Sequence, residues 1–466
     1  MLCLLGLMLA LSSGLSAQKK DKLEADTLGK VLVEDVVYDG NKRTVQRILE
    51  RELTFAPGDS IYRIRLKDEL EQSENNLMNL RLFNFVTLEA LPIGDDRVLV
   101  LLTVQERWYI YPAPILQIAE TNFNTWWENR ELRWLNYGAS INHDNFRGRN
   151  ERLSIMARFG YTRRFSTSYS IPNLNKKQTL GIEVAAGYFE NNELVYTTLG
   201  NQRQFYNNPE DKARRWMEYR VGLVYRENIF TRHGFSLSFH SVTVNDTIPI
   251  LNEDYLPVAG NTAQFFRLNY NVNHDTRDYK RYPLKGLLLY AFVQQDGLGI
   301  MDPNGMNLLT TQAGYRHYHK LGDRTFLAYA LTGKVNWSEP PYYLINALGY
   351  NDFVRGYEFF VIDGSRFALL QSNFKYQILQ PKTFTLPFVP EQFAESFIAL
   401  YGNLFFDAGY VYGPEFVENN SLVNEYLYSI GLGLDVVTYY DKVMRVEGSL
   451  NGLGQKAVFV HFRQAF

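Results

Sequence analysis

From Trp108 to the C-terminus the sequence is a series of stretches, each about ten residues long, in which apolar and polar side chains alternate. In 266–273 the apolar set is Phe266, Leu268, Tyr270 and Val272, and the residues between them are Arg and Asn. A side-chain period of two is that of a β-strand with one apolar and one polar face. Beyond the N-terminal segment there is no apolar run of about 18 residues, which excludes a membrane protein built from helices.

Alternation of this kind fits two architectures: a soluble sandwich with an apolar core, and a membrane barrel with a polar lumen. Other features favour the barrel. Residues 1–17 are apolar and end in small residues, which predicts a secretory signal peptide followed by a linker over 18–29. The single cysteine, Cys3, lies in that segment, so the mature chain has no disulfide framework. The chain also contains 32 Tyr and 31 Phe, residue types enriched in strands and at membrane interfaces.

Sixteen candidate strands follow residue 108, an even number, as closed antiparallel barrels require. They are predicted over 110–118, 136–145, 152–161, 165–172, 179–189, 215–226, 234–244, 264–273, 286–295, 307–319, 325–336, 366–378, 398–412, 426–437, 443–450 and 457–466. The predicted fold class is therefore an all-β transmembrane barrel of about 16 antiparallel strands over 108–466.

Residues 30–107 read as a separate small α+β domain with the order β-α-α-β-β. A strand is predicted over 30–38, and Thr44 is expected to cap a helix that runs through Glu52. The remaining elements are a helix over 64–82 and strands over 85–91 and 97–104. A domain of this size can bury a modest core by itself.

Short motifs along the chain resemble those of the outer-membrane assembly-factor superfamily, which includes BamA, TamA and the two-partner secretion transporters. One segment resembles its VRG[F/Y] motif and another its D-x-G motif. The residues concerned are Val354, Arg355, Gly356, Tyr357, Asp407 and Gly409. Segments 274–278 and 282–286 resemble the turn before one of its middle strands, and 40–44 resembles its polypeptide-transport-associated (POTRA) domain.

The end of the chain adds to this resemblance. The last predicted strand alternates and carries Phe462 and Phe466, which resemble the C-terminal signal by which outer-membrane barrels are recognised.

The resemblance implies a role for Arg355. In the family the motif arginine folds into the barrel and pairs with the acidic residue of the D-x-G strand, here Asp407. The alternation of 398–412 places Asp407 on the lumen face and Phe406 on the outward face. The pair would hold the loop in one conformation rather than add much global stability. The alternative is that Arg355 is an ordinary loop arginine in water.

Two other groups of side chains carry a weaker signal. Arg445 and Glu447 share one strand face beside Asp435 of the preceding strand, which indicates a charged network lining a wet lumen. His317 and His319 also share a face, as in a two-histidine metal site. No third ligand is evident, so lumen or turn histidines are the simpler interpretation and no metal is predicted.

The resemblance implies an outer-membrane protein of the BamA/TamA type in a Gram-negative bacterium, with its N-terminal domain in the periplasm. It would assist insertion of proteins into the outer membrane or their translocation across it. Expected partners are unfolded polypeptide clients, the lipid bilayer, and periplasmic chaperones or accessory lipoproteins. The alternatives are a dedicated two-partner-type secretion pore and a passive solute porin.

Other functional classes lack support in the sequence. The formal net charge of −2 argues against nucleic acid as a partner. With no Ser/His/Asp ordering and no glycine-rich phosphate loop, the sequence predicts neither an enzyme nor a cofactor.

Overall fold

The structure is a computed structural model that describes residues 29–118, 135–208, 211–301, 305–345, 347–385, 387, 395–438 and 442–461. Contacts divide the chain into two compact units, Met1–Arg107 and Trp108–Phe466. The predicted signal peptide over 1–17 lies outside the described residues, as do Phe462 and Phe466. None of the helices in the described part of the chain is both long and apolar enough to cross a membrane.

The first unit is a four-stranded sheet with two helices. Its elements are β1 (Lys30–Asp39), α1 (Gln46–Glu50), β2 (Ser60–Tyr62), α2 (Arg63–Met78), β3 (Phe83–Pro92) and β4 (Arg97–Glu106). The sheet order is β2-β1-β4-β3, in which β1 and β4 are parallel and the other neighbours are antiparallel. The sequence does not predict β2, because three residues are too few to show a period.

The connection between β1 and α1 differs from the prediction at Thr44. That residue does not cap the helix, whose N-cap is Val45 without a side-chain bond. Instead Thr44 Oγ1 donates to Glu106 Oε1 at 2.6 Å, and the Thr44 backbone N–H donates to the same oxygen at 2.7 Å. The Glu106 carboxylate at the end of β4 thus holds both the hydroxyl and the backbone N–H of Thr44, and the helix begins beyond this residue.

The second unit is a large antiparallel sheet. Its strands are β5 (Ile110–Ile118), β6 (Leu135–Phe146), β7 (Glu151–Gly160), β8 (Arg163–Ile171), β9 (Leu180–Asn191), β12 (Arg214–Arg226), β13 (Thr231–Val244), β14 (Thr262–Asp275), β15 (Gly286–Asp296), β16 (Leu308–Lys320), β17 (Thr325–Asn336), β18 (Arg366–Thr385), β19 (Glu395–Tyr412), β20 (Tyr426–Thr438), β21 (Lys442–Asn451) and β22 (Lys456–His461). Each pairs with its neighbours in chain order, so the predicted count of sixteen and the predicted fold class are confirmed.

Two short strands and three short helices lie outside the sixteen strands in the described part of this unit. The segment 192–213 contains a separate hairpin of β10 (Glu193–Leu199) and β11 (Gln202–Asn207). The helix α3 (Thr247–Leu251) precedes β14, and one-turn 3-10 helices occupy Tyr342–Leu344 and Pro414–Phe416. The hairpin lies between the strands predicted over 179–189 and 215–226, and the sequence does not predict it.

The two faces of the large sheet differ as a membrane barrel requires. In β19, Leu404 and Phe406 are exposed on the outer face, whereas Asn403, Phe405 and Asp407 are buried on the inner face. The outer face is apolar and the inner face carries the charges, which is the reverse of a soluble sandwich. The inner face is therefore the place to look for a site.

Loops leave the barrel at two rims. We call the rim at which β5 begins the proximal rim and the opposite one the distal rim. Since all neighbours are antiparallel, the turn 276–285 lies at the proximal rim and the loop 337–365 at the distal rim. The sheet order ends at β5 and β22, and within the described residues no ladder joins these two strands.

Candidate functional site

The candidate site is the loop 337–365, which connects β17 to β18 and lies against the inner wall of the barrel. Leu348 and Ile362 exchange backbone hydrogen bonds of 3.3 and 2.9 Å, which close the base of the loop. Between them, the Tyr357 N–H donates to the Val354 carbonyl at 3.0 Å in a tight turn. The VRGY residues 354–357 therefore lie at the tip of a loop whose base is closed by hydrogen bonds.

Arg355 uses all five of its guanidinium N–H groups. Nε and Nη2 donate to the two carboxylate oxygens of Asp407 at 2.8 and 2.5 Å. Nη1 donates to Asn373 Oδ1 at 2.8 Å and to Glu447 Oε1 at 3.2 Å. Nη2 also donates to the Ser372 carbonyl at 3.1 Å, and the backbone N–H of Arg355 donates to Asp407 Oδ2 at 3.1 Å. The structure thus brings Arg355 and Asp407 together as a bidentate pair.

This pair is inaccessible to water. The side chains of Arg355, Asp407 and Glu447 are 4%, 0% and 2% exposed. The guanidinium carbon also lies 3.9 Å from the ring centroid of Phe405, whose face attracts a cation. Removing one partner of such a buried pair costs roughly 3–5 kcal/mol because the remaining charge has no compensation.

Gly409 of the D-x-G motif is needed for steric reasons. A Cβ at this position would lie 2.7 Å from Val354 Cγ2 and 3.1 Å from Leu348 Cδ1. The missing side chain therefore makes the hollow in β19 that receives Val354, which is 1% exposed. The two motifs fit each other by charge at Arg355 and Asp407, and by shape at Val354 and Gly409.

The other two motif residues fix the direction of the loop tip. Gly356 has φ +85°, a conformation that residues with a side chain rarely adopt. Its carbonyl accepts a 2.8 Å hydrogen bond from Asn451 Nδ2. Tyr357 is buried in an apolar cluster with Val354 and Leu427. Each VRGY residue thus contacts the barrel wall or the rest of the loop.

The loop also reaches the last described strand. The rings of Phe353 and His461 are 6.2 Å apart, and those of Phe359 and Phe459 are 5.2 Å apart. His461 Nε2 lies 3.6 Å from Glu447 and 3.8 Å from Glu358. The loop therefore contacts β22, one of the two strands at which the sheet order ends.

Glu358 is a titratable group in this loop. Its Oε2 accepts a 2.6 Å hydrogen bond from the Gly356 N–H. Burial, together with the nearby Glu447 carboxylate, raises the pKa of Glu358 to about 7. The protonation state of the loop therefore changes near neutral pH.

The charged residues on β20 and β21 form a second pair beside the first. Arg445 Nε and Nη2 donate to the two oxygens of Asp435 at 2.6 and 2.9 Å. The strand period predicts that Arg445, Glu447 and Asp435 share one face, but it does not connect them with Arg355. Asn373 and Ser372 of β18 also escape it, because the strand period identifies the face of Asn373 but not which loop residue reaches it.

His317 and His319 are outward-facing, contrary to the interpretation as lumen or turn residues. They share the face of the exposed Leu309, whereas Tyr318 between them is buried. His317 Nδ1 is 2.9 Å from the Tyr315 hydroxyl, and both histidines neighbour the Tyr329 hydroxyl. Within the described ranges no group of three or more His, Cys, Asp or Glu residues is placed to hold a metal.

Loops at the distal rim are bonded to one another across the barrel. Asn201, at the tip of the β10–β11 hairpin, donates from Nδ2 to Val361 O at 3.2 Å and to Asn420 Oδ1 at 3.1 Å. The hairpin follows the fifth strand of the sheet, and Asn420 follows the thirteenth. In a sixteen-stranded barrel these strands lie on opposite sides, so the hairpin crosses the distal mouth.

Comparison with known proteins relates both units to one family. Residues 145–438 match the Omp85 superfamily domain, and residues 31–107 match a POTRA repeat described as a surface antigen variable number repeat. No curated protein sequence matches the chain significantly.

Several solved structures are similar in fold. CdiB from Escherichia coli is 12% identical with a TM-score of 0.53, over 92% of this chain and 75% of that one. BamA from Haemophilus ducreyi lacking POTRA domains 1–3 is 14% identical with a TM-score of 0.49, over 93% of this chain and 83% of that one.

Proposed function

The chain belongs to the Omp85 superfamily, and from this premise we propose that it helps other polypeptides to insert into, or to cross, the outer membrane of a Gram-negative bacterium. The domain of residues 30–107 lies in the periplasm in this proposal. The observation that carries it is the loop 337–365, which is bonded inside the barrel through Arg355 and contacts β22 at Phe459 and His461. A locked loop beside a terminal strand suits a protein that handles client strands, whereas a passive channel has no need of contacts between the loop and that strand.

The first proposed step is the capture of an extended client segment by the N-terminal unit. β3 is an edge strand of ten residues, whereas the opposite edge, β2, has only three. A strand edge binds an extended chain of any sequence through main-chain hydrogen bonds. One group on this edge is already occupied, since the Leu88 N–H donates to Glu74 Oε1 at 2.6 Å. A client strand would replace that carboxylate with its own carbonyl.

The second proposed step is strand exchange at the ends of the large sheet. The described part of β5 pairs with β6, and within it Pro112 and Pro114 face Ile141 and Ala139. Two prolines, two residues apart, remove two N–H donors from the same edge of the strand. Because backbone groups in lipid have to stay bonded, a client strand that pairs with β5 or β22 inserts without leaving them unsatisfied.

A dedicated secretion pore is the second candidate, and Tyr357 favours it, because the tyrosine form of the VRG[F/Y] motif leans towards the secretion transporters. A secreted chain would pass through the lumen, so both the loop 337–365 and the bonds of Asn201 to Val361 and Asn420 would have to open. Insertion at the sheet ends does not require a client to pass through the lumen. The contacts at the distal mouth therefore favour the insertase.

The test is depletion of the protein, followed by quantitative outer-membrane proteomics and a small-solute uptake assay on the same cells. Loss of many barrels supports the insertase and identifies its clients, and a fall in uptake that follows the loss of porins does not count against it. Loss of one or two secreted proteins with an intact set of barrels supports the secretion pore. Reduced uptake with an intact outer-membrane proteome would mean a solute porin and overturn the proposal.

A further inference from the structure

One carboxylate oxygen joins the two buried ion pairs of the barrel. Glu447 Oε1 accepts from Arg355 Nη1 at 3.2 Å and lies 3.4 Å from Arg445 Nη1. Each arginine also has its own aspartate, Asp407 for Arg355 and Asp435 for Arg445. Among the contacts that the structure describes, Glu447 is the residue that belongs to both pairs.

The second pair extends to the proximal rim. Tyr282 lies in the turn 276–285 but is only 3% exposed, because the turn folds into the lumen. Its hydroxyl donates to Asp435 Oδ2 at 2.7 Å. Its ring lies 4.7 Å from that of Tyr401, and Lys375 Nζ is 4.2 Å from its centroid. The tyrosine therefore covers the charged cluster from the proximal side.

These contacts form an unbroken chain from one rim to the other. Its members are Tyr282, Asp435, Arg445, Glu447, Arg355 and Asp407. Asp435 is in register with Tyr401 of β19, and Tyr401 and Asp407 are about 20 Å apart along an extended strand. The chain therefore connects a turn at the proximal rim with the loop at the distal rim.

We infer that Glu447 is a positioning residue that couples the turn 276–285 to the locked loop. Buried charges interact strongly because little water screens them. When the turn moves out, Tyr282 uncovers Asp435 and Arg445 to water, and their hydration weakens the hold of Glu447 on Arg355. A guanidinium cannot lose its proton, so a weaker set of anions directly loosens Arg355. A client that displaces the proximal turn would in this way release the distal loop.

The coupling is measured by the release of Arg355 itself. Trypsin cleaves after Arg355 only when the guanidinium leaves its partners, because the same group has to enter the specificity pocket of the protease. The full chain is purified in its membrane-inserted form, and the fragment that ends at Arg355 is quantified by mass. Cleavage of a transiently opened segment follows the population of the open state.

Tyr282→Ala is expected to raise the rate of cleavage at Arg355 by about five-fold or more. In a Glu447→Gln background the same change is expected to alter the rate by less than about two-fold, the range within which sites count as independent. The Glu447→Gln barrel is expected to fold, because both arginines keep their aspartates. If Tyr282→Ala does not insert, Tyr282→Phe replaces it in the same comparison, with the same expected direction.

Glu151 provides the matched control. It is 1% exposed and lies 2.8 Å from Arg147 and 3.5 Å from Arg149, but it belongs to β7, outside the chain of contacts. In a Glu151→Gln background the effect of Tyr282→Ala should remain undiminished. An equal effect of Tyr282→Ala with and without Glu447 would overturn the inference, as would no effect in an inserted barrel.

The role of a client in this inference rests on the proposed function, but the trypsin test does not need a client. Trypsin reports only the coupling between turn and loop. If trypsin shows the coupling but depletion alters no outer-membrane protein, only the proposed function is contradicted. If depletion identifies clients but trypsin shows no coupling, only the coupling is contradicted.

Discussion

Replacement of Arg355 by Ala is expected to release the loop 337–365 while the barrel stays folded. The change removes five side-chain hydrogen bonds and leaves the buried Asp407 carboxylate without its guanidinium partner, while Glu447 keeps Arg445. The cost of leaving such a charge unpaired is roughly 3–5 kcal/mol. Movement of the loop out of the lumen relieves this cost by admitting water. The closed state should therefore lose roughly two to three and a half orders of magnitude in population relative to the open state.

Hydrogen–deuterium exchange of the loop measures this change. The amides that report it include those of Tyr357 and Ile362, which are bonded within the loop. Peptides covering 349–362 should exchange at least about a hundred-fold faster in Arg355→Ala, by the same conversion of free energy into population. Peptides from β20 should not change. Mobility shift on heating in a denaturing gel checks that the barrel is folded.

Arg203→Ala is the control variant, because it removes an exposed arginine that also contacts this loop. Arg203 donates to the Gly349 carbonyl at 3.1 Å and lies 4.7 Å from the ring centroid of Tyr350, but its side chain is exposed. Its removal should cost no more than about 1 kcal/mol. Unchanged exchange in Arg355→Ala would refute the reasoning from buried charge. Full client assembly by an inserted Arg355→Ala protein would refute the role of the lock in the proposed function.

Three further predictions test other parts of the molecule. Gly409→Ala should loosen the same loop, by about 1–3 kcal/mol of overpacking against Val354, and Gly409→Ala with Val354→Ala should exchange more slowly than Gly409→Ala alone. Glu74→Ala should tighten the binding of an extended peptide to β3, because it frees the Leu88 N–H, and Glu74→Gln should not; equal binding by both variants in a fluorescence titration would count against edge capture. Burial raises the pKa of Glu358 to about 7 in the closed loop. The contribution of Glu358 to the stability of the closed loop is therefore fully present below the ordinary carboxyl pKa, and it is lost as the pH rises through about 7. Exchange of 349–362, corrected for intrinsic rates, should therefore increase from pH 5 to pH 8 in the natural sequence, and a pH-independent Glu358→Gln variant would support this assignment.

Local periodicity explains which expectations from sequence hold in the structure. In β19 the alternation assigns Asp407 to the inside and Phe406 to the outside, and these residues are 0% and 44% exposed. At Thr44 the local rule is wrong, because Glu106 competes from 62 residues away in the sequence. At His317 the shared face is correct, but its side of the barrel is not, since a period of two identifies two faces without saying which is outside.

The sequence by itself determined the class of fold, the sixteen wall strands and the motifs that carry the family. These follow from side-chain alternation and short segments, which are properties of neighbouring residues. Only the tertiary structure decided what Arg355 binds. Asn373, Asp407 and Glu447 lie 18, 52 and 92 residues further along the chain, on three different strands. They meet at one guanidinium because the sheet curves around a common interior, and no local pattern records which side chains that curvature brings together.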